Sequence, residues 1–106
     1  MLALLLSLVT AVPHLAFGEI FGDLRLGEKY LTQTKIDLKC GAVAASATTD
    51  SAGSFRIPIK ATGKCTVTVT YEKQTASVDV VVFDKPARYR LVLEAAKDGK
   101  YTLKRV

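Results

Sequence analysis

Alternation of apolar and polar residues, with a period of two, runs through the chain from residue 19 onward and constrains the fold more than any other feature. In SFRIPI (54–59), for example, Phe55, Ile57 and Ile59 share one parity. Successive side chains of a β-strand point to opposite faces, so this period predicts strands with one buried face. Pro58 lies in the same stretch and cannot donate a ladder hydrogen bond, which predicts a short or edge strand there.

Eight segments have this pattern, and none of the chain after residue 18 has a helical period. They are EIFGDLRL (19–26), TKIDLKC (34–40), AASATTD (44–50), SFRIPI (54–59), KCTVTVTY (64–71), TASVDVVVF (75–83), RYRLVLEA (88–95) and YTLKRV (101–106). Short, regularly spaced strands with one apolar face each predict an all-β fold, an antiparallel β-sandwich of seven or eight strands.

The first eighteen residues, MLALLLSLVTAVPHLAFG, contain no Lys, Arg, Asp or Glu. Their apolar run is shorter than the about 20 residues of a membrane-spanning helix. Ala16 and Gly18 supply the small residues that precede a signal-peptidase cut. We therefore predict a signal-peptide helix over residues 1–18 and one mature domain over residues 19–106, with no membrane span after cleavage. Because no Lys or Arg precedes the apolar run, a buried N-terminal helix remains the alternative.

The chain contains two cysteines, Cys40 and Cys65, and both lie in the predicted mature domain. Export would place them in an oxidising compartment, extracellular or periplasmic, where a single pair usually forms a disulfide. A domain this small is marginally stable on its core alone, so a disulfide would add substantially to its stability. Two buried free thiols are the alternative.

The stretch TTDSAGSFRI (48–57) predicts a tight turn, which we interpret as the corner of a β-hairpin. Asp50 can accept hydrogen bonds from backbone amides across the turn, and Gly53 can adopt a positive φ. Phe55 and Ile57 would then enter the core with the next strand.

This turn belongs to a wider set of motifs in FGDLRLGEKYLTQTKIDLKC, TTDSAGSFRI, ATGKCTVTVTY and FDKPARYRLVL. The motif positions are Gly22, Leu24, Leu31, Ile36, Leu38, Thr49, Asp50, Gly53, Phe55 and Gly63. Through them, residues 19–94 resemble the carboxypeptidase regulatory-like domain, a family with a prealbumin-like (transthyretin-like) sandwich akin to the Cna-B repeats of surface proteins. The chain departs from the family at Cys65, where Tyr or Phe is usual. The resemblance implies that the second and fifth strands are antiparallel neighbours, so that Cys40 would meet Cys65.

Few residues suit catalysis or metal binding. The single histidine, His14, lies in the predicted leader, so the mature domain has no imidazole for a Ser–His or Cys–His pair. Asp50 lacks the further oxygen ligands of a calcium loop, and a zinc site would need more Cys or His. We therefore predict no catalytic residue, no metal site and no cofactor.

The net charge of +5 is moderate, and it is compatible with simple solubility or with attraction to acidic partners. A candidate basic interaction surface consists of Arg56, Arg88, Arg90, Lys104 and Arg105. Such a surface could attract a protein, an acidic glycan or a cell-envelope component, whereas basic residues on edge strands also serve to prevent strand pairing. The tyrosines fall mostly in core parity, which does not favour nucleic-acid binding.

These features together indicate an exported, non-enzymatic β-sandwich module with a binding, accessory or structural role. Two alternatives remain open. One is a divergent transthyretin-like hydrolase that works through Arg, Lys and Asp. The other is a structural component of a cell envelope or extracellular matrix that self-associates through an edge strand. The sequence leaves the oligomeric state open.

Overall fold

A computed structural model describes residues 17–106, which form two β-sheets packed face to face. The strands are β1 (Gly18–Leu26), β2 (Lys29–Tyr30), β3 (Lys35–Cys40), β4 (Val43–Thr48), β5 (Ser54–Ile59), β6 (Gly63–Tyr71), β7 (Gln74–Val82), β8 (Ala87–Ala95) and β9 (Tyr101–Arg105). No helix occurs within this part of the chain. Most of the predicted signal peptide, residues 1–16, lies outside the described residues, and the signal peptide therefore remains a prediction.

The two sheets have different topologies. Sheet A contains β1 in its middle, with β8 and then β9 on one side and β5 and the short β2 on the other. Sheet B has the order β4-β3-β6-β7 and is antiparallel throughout. The all-β two-sheet prediction is therefore confirmed.

Two details of the predicted sandwich were wrong. The pair β1–β8 is parallel, from Ile20 beside Ala87 to Leu26 beside Leu93. These strands are separated by all of sheet B, so no tight turn forces them to run in opposite directions. The strand β2 was also missed, which brings the number of strands within residues 17–106 to nine. It is two residues long, too short to show any alternation.

The core lies between the sheets and consists of the residues with inward parity. Eleven of them are less than 2% exposed: Ile20, Leu24, Ile36, Leu38, Ile57, Val67, Val69, Val80, Val82, Leu91 and Leu93. Val92 departs from the alternation, because it has outward parity yet is only 9% exposed. β5 has a partner on one side only, so Pro58 lies in an edge strand as predicted.

A disulfide joins Cys40, the last residue of β3, to Cys65 in β6, with 4.4 Å between their Cα atoms. The register explains this contact, because Lys39 pairs with Thr66 and the next residues along the two strands are the cysteines. Both are buried. A cross-link over a separation of 25 residues stabilises a fold by about 3–4 kcal/mol in the chain-entropy model.

The turn at Asp50 and Gly53 has the predicted hydrogen bonds and positive φ, but it does not connect two strands of one hairpin. The Oδ1 of Asp50 accepts hydrogen bonds from the amides of Ala52 and Ser54, each at 2.9 Å. Gly53 has a φ of 76°. β4 belongs to sheet B, however, and β5 belongs to sheet A. The turn therefore carries the chain from one sheet to the other, and the hairpin interpretation was wrong.

The residue before this turn, Thr49, is 2% exposed and joins it to the preceding loop. Its hydroxyl accepts a hydrogen bond from the amide of Thr34 at 2.9 Å and donates one to the carbonyl oxygen of Leu31 at 2.7 Å. These bonds satisfy polar groups that burial would otherwise leave unpaired. Gly63, the third predicted turn residue, begins β6 with a φ of 106°.

Candidate functional site

The outer face of sheet A carries a row of one aromatic and two basic residues across three adjacent strands. Phe21 of β1 is the register partner of Arg56 on β5 and of Arg88 on β8. Paired residues of neighbouring strands project from the same face of a sheet. Both arginines are exposed and Phe21 is partly buried. The row therefore presents a ring between two guanidinium groups.

Two contacts hold the Arg56 side chain in this row. Its guanidinium carbon lies 5.2 Å from the centroid of the Phe21 ring, a cation–π geometry. Its Nη1 also forms an ion pair with Glu19, two residues before Phe21 on the same strand. Within residues 17–106, Arg88 forms no ion pair, so its charge is available to a ligand.

The row borders an open groove of about 470 Å³. Its ionisable lining residues are Asp23, Asp50, Arg56 and Arg88, and we call it the arginine groove. One oxygen of Asp50 is already engaged by the turn amides. The groove thus combines two arginines, of which Arg56 is held by its contacts, with two carboxylates beside the Phe21 ring.

The remaining candidate basic residues are distributed over different parts of the molecule. Arg90 shares the face of Arg88, two residues earlier on β8, and pairs in register with Asp23. Lys104 lies at the far edge of the same sheet, where its Nζ contacts Glu94 at 2.9 Å.

Arg105 does not share this face. It is the register partner of Leu91, whose side chain is in the core, so it has the opposite parity to Lys104. The structure therefore brings Arg56, Arg88 and Arg90 together, leaves Lys104 ion-paired at the margin and separates Arg105 from the other four.

The predicted basic surface did not include Phe21, Asp23 or Arg25, although all three have outward parity on β1. That shared parity is the signal that could have identified them. Arg25 lies beside Val92 in register, and its Nε is buried without a hydrogen-bond partner within the described residues.

A second polar contact links the turn after β6 to β9. The hydroxyl of Tyr101 donates a hydrogen bond to Oε1 of Glu72 at 2.5 Å. This hydrogen bond raises the pKa of Tyr101, because ionisation would remove the donor beside a carboxylate. The Tyr101 ring also packs edge-on against Tyr71, with centroids 5.5 Å apart. The cluster fixes the ends of the two sheets relative to each other.

Within residues 17–106, no group of three His, Cys, Asp or Glu side chains is arranged to hold a metal ion. The same residues include no helix long and apolar enough to cross a membrane. No protein-family model matches the chain, and a search of curated proteins finds no match.

Proposed function

We propose that the protein is an exported, non-enzymatic β-sandwich module that binds an acidic glycan through the outer face of sheet A. The observation that most supports this proposal is the row Arg56–Phe21–Arg88, which the register of three strands brings together. Guanidinium groups bind carboxylates and sulfates through paired hydrogen bonds, and the net charge of +5 attracts a polyanion from a distance.

The spacing of the arginines supports an extended, repeating ligand. Arg56 and Arg88 lie on strands separated by β1, so their backbones are about 10 Å apart. Arg90 continues the positive charge along β8. A chain with regularly placed acidic groups can contact all three, whereas a single small anion contacts one.

Export and fold class rest on separate observations. The apolar leader and the Cys40–Cys65 disulfide support an oxidising, extracellular or periplasmic location. The antiparallel pairing of β3 with β6 is what the resemblance to the carboxypeptidase regulatory-like domain implies for its second and fifth strands. It supports a prealbumin-like sandwich.

Binding to heparin, a sulfated polysaccharide, tests the proposal by titration calorimetry over a range of salt concentrations. Arg88→Gln should weaken binding about tenfold and reduce the salt dependence. Arg105→Gln makes the same change of charge on the other parity of sheet A and should alter affinity less than about twofold. Equal losses in both variants would mean that only net charge matters, and the proposed site would then be wrong.

The arginine groove is also the observation that favours the hydrolase alternative, because it brings two carboxylates and two arginines together. Transthyretin-like hydrolases act on hydroxyisourate through histidines that the predicted mature domain lacks, so this alternative relies on Arg, Lys and Asp. It predicts turnover of hydroxyisourate above the buffer rate, with loss of turnover in Asp23→Asn. Asp98→Asn, in the exposed turn before β9, is the matched control. A rate equal to buffer for the unmodified protein would exclude this activity.

A further inference from the structure

The edge strands of the sandwich differ in how they are protected from pairing with another chain. At β7, the hydroxyl of Tyr89 bonds both the amide and the carbonyl oxygen of Val81. β5 carries Pro58, and β9 is flanked by basic residues. Proline, charge and covered backbone groups are the usual means by which proteins block an edge.

β4 has none of these features. Its sequence is VAASAT, without charge and without proline, and five of its six side chains are Ala, Ser or Thr. It pairs with β3 along its whole length, from Thr48 beside Lys35 to Val43 beside Cys40. Within residues 17–106 no strand pairs with its other edge. The backbone groups of that edge are therefore open to an added strand.

An apolar groove of about 340 Å³ adjoins this edge at the Val43 end. It is lined by Phe17, Val43, Ala45, Pro58, Ile59 and Lys60. The Val43 side chain is 37% exposed although it has the inward parity of β4. Cleavage after Gly18 would remove Phe17 and open the groove further. A strand added to β4 would direct alternate side chains toward this groove.

We propose that β4 and the adjoining groove bind an extended acidic segment of a partner protein, with a bulky apolar side chain in the groove. Edge addition takes its affinity from main-chain hydrogen bonds and its selectivity from pockets for alternate side chains. We infer that the bound segment is acidic because two lysines lie beside this edge. Lys39 lies beside Ala44 in register and Lys60 lines the groove, and neither forms an ion pair within the described residues.

A second copy of the chain fits this edge less well. Two β4 strands paired antiparallel about their centre would place Thr48 of one copy opposite Val43 of the other. The small side chains at that end of β4 leave a groove of this volume unfilled. The lysines of the two copies would also gain no opposite charge. An acidic peptide with Leu or Val at alternate positions fills the groove and also provides carboxylates for the lysines.

The test titrates the oxidised protein with the synthetic peptide acetyl-ELTVELT-amide and follows backbone amide resonances by NMR. Saturable shifts should be confined to β4 and to residues 59–60. Val43→Asn removes an apolar wall of the groove without adding charge and should weaken binding at least about tenfold. Val81→Asn is the matched control, because Val81 is 36% exposed on the opposite edge of the same sheet, and it should change affinity less than about twofold.

Two further measurements distinguish binding at β4 from nonspecific apolar binding and from binding at the glycan surface. The charge-reversed peptide acetyl-KLTVKLT-amide should bind at least about tenfold more weakly, since the Lys39 and Lys60 charges would oppose it. The arginine groove also reaches Ala47 and Thr48 at the far end of β4, so the control is Arg90, which lies outside its lining. Arg90→Gln should leave binding of the acidic peptide unchanged, which distinguishes this site from the glycan surface on β8. Shifts on the outer face of sheet A, or no saturable binding, would overturn the proposal. Concentration-dependent β4 shifts without peptide would also overturn it, in favour of a second copy.

Discussion

The hydroxyl of Tyr89 donates a hydrogen bond to the carbonyl oxygen of Val81 at 2.8 Å and accepts one from its amide at 2.9 Å. Tyr89 belongs to β8 of sheet A, whereas Val81 belongs to β7, the edge of sheet B. One side chain therefore connects the two sheets and occupies backbone groups of an edge strand.

Tyr89→Phe removes both hydrogen bonds and keeps the ring. We expect it to lower the free energy of unfolding by about 1–2 kcal/mol, because two backbone groups lose their partner. Urea denaturation measures this loss, and hydrogen exchange should show a faster Val81 amide. Tyr30→Phe is the control, since the Tyr30 side chain is 48% exposed. Equal stability of both variants would show that the bond contributes nothing.

Gly22 is expected to tolerate no side chain. A Cβ at this position would lie 1.7 Å from the carbonyl oxygen of Tyr89, on the paired strand β8. Gly22→Ala should therefore force the parallel β1–β8 pair apart and cost at least about 3 kcal/mol.

Gly27→Ala is the matched control for this steric effect. Gly27 has a φ of 59°, so alanine there is strained, but nothing lies within 4 Å of its Cβ position. We expect a loss of only about 1–2 kcal/mol from the backbone strain. Urea midpoints of both variants, at equal m-values, give the comparison. A smaller loss at Gly22 than at Gly27 would contradict the close approach of β1 and β8.

The disulfide makes a quantitative prediction about stability. Replacing Cys40 and Cys65 together by alanine should lower the free energy of unfolding by about 3–4 kcal/mol, since the unfolded chain gains the freedom of the opened loop. Chemical denaturation measures the difference. Mass spectrometry of the unmodified protein should show a gain of about 2 Da on reduction. An unchanged mass would mean that the thiols are free.

Tyr101 should titrate above an ordinary tyrosine because Glu72 accepts its hydrogen bond. Glu72→Gln removes the carboxylate charge and should lower the pKa of Tyr101 toward 10.0. Since the folded pKa is raised, the stabilisation is present below the unfolded value and is lost as pH rises through the folded value. NMR titration of the Tyr101 ring measures the shift. An unchanged pKa in the variant would show that Glu72 is not its cause.

The sequence predicted which residues face the core better than it predicted which strands are neighbours. In β5, the alternation of Phe55, Ile57 and Ile59 assigned the buried face correctly, because a period of two directly encodes the two sides of a strand. The same alternation carries no information about the partner strand. The turn at Asp50 was therefore interpreted as a hairpin, although long-range packing pairs β5 with β1.

For the candidate site too, the sequence predicted which side chains are exposed but not which of them are neighbours. The exposure of Arg56 and Arg88 follows from their parity, but their position on either side of Phe21 depends on two strand registers. Neither register involves strands that are adjacent in the chain. Arg105 is a basic residue like the others, yet it pairs in register with Leu91 and therefore does not share the face of Arg56 and Arg88.

NMR mapping of heparin binding locates the ligand on the protein without relying on substitutions. We expect saturable shifts centred on the amides of Phe21, Arg56, Arg88 and Arg90. Shifts centred on residues 97–105 instead, or spread evenly over all exposed lysines and arginines, would contradict this expectation.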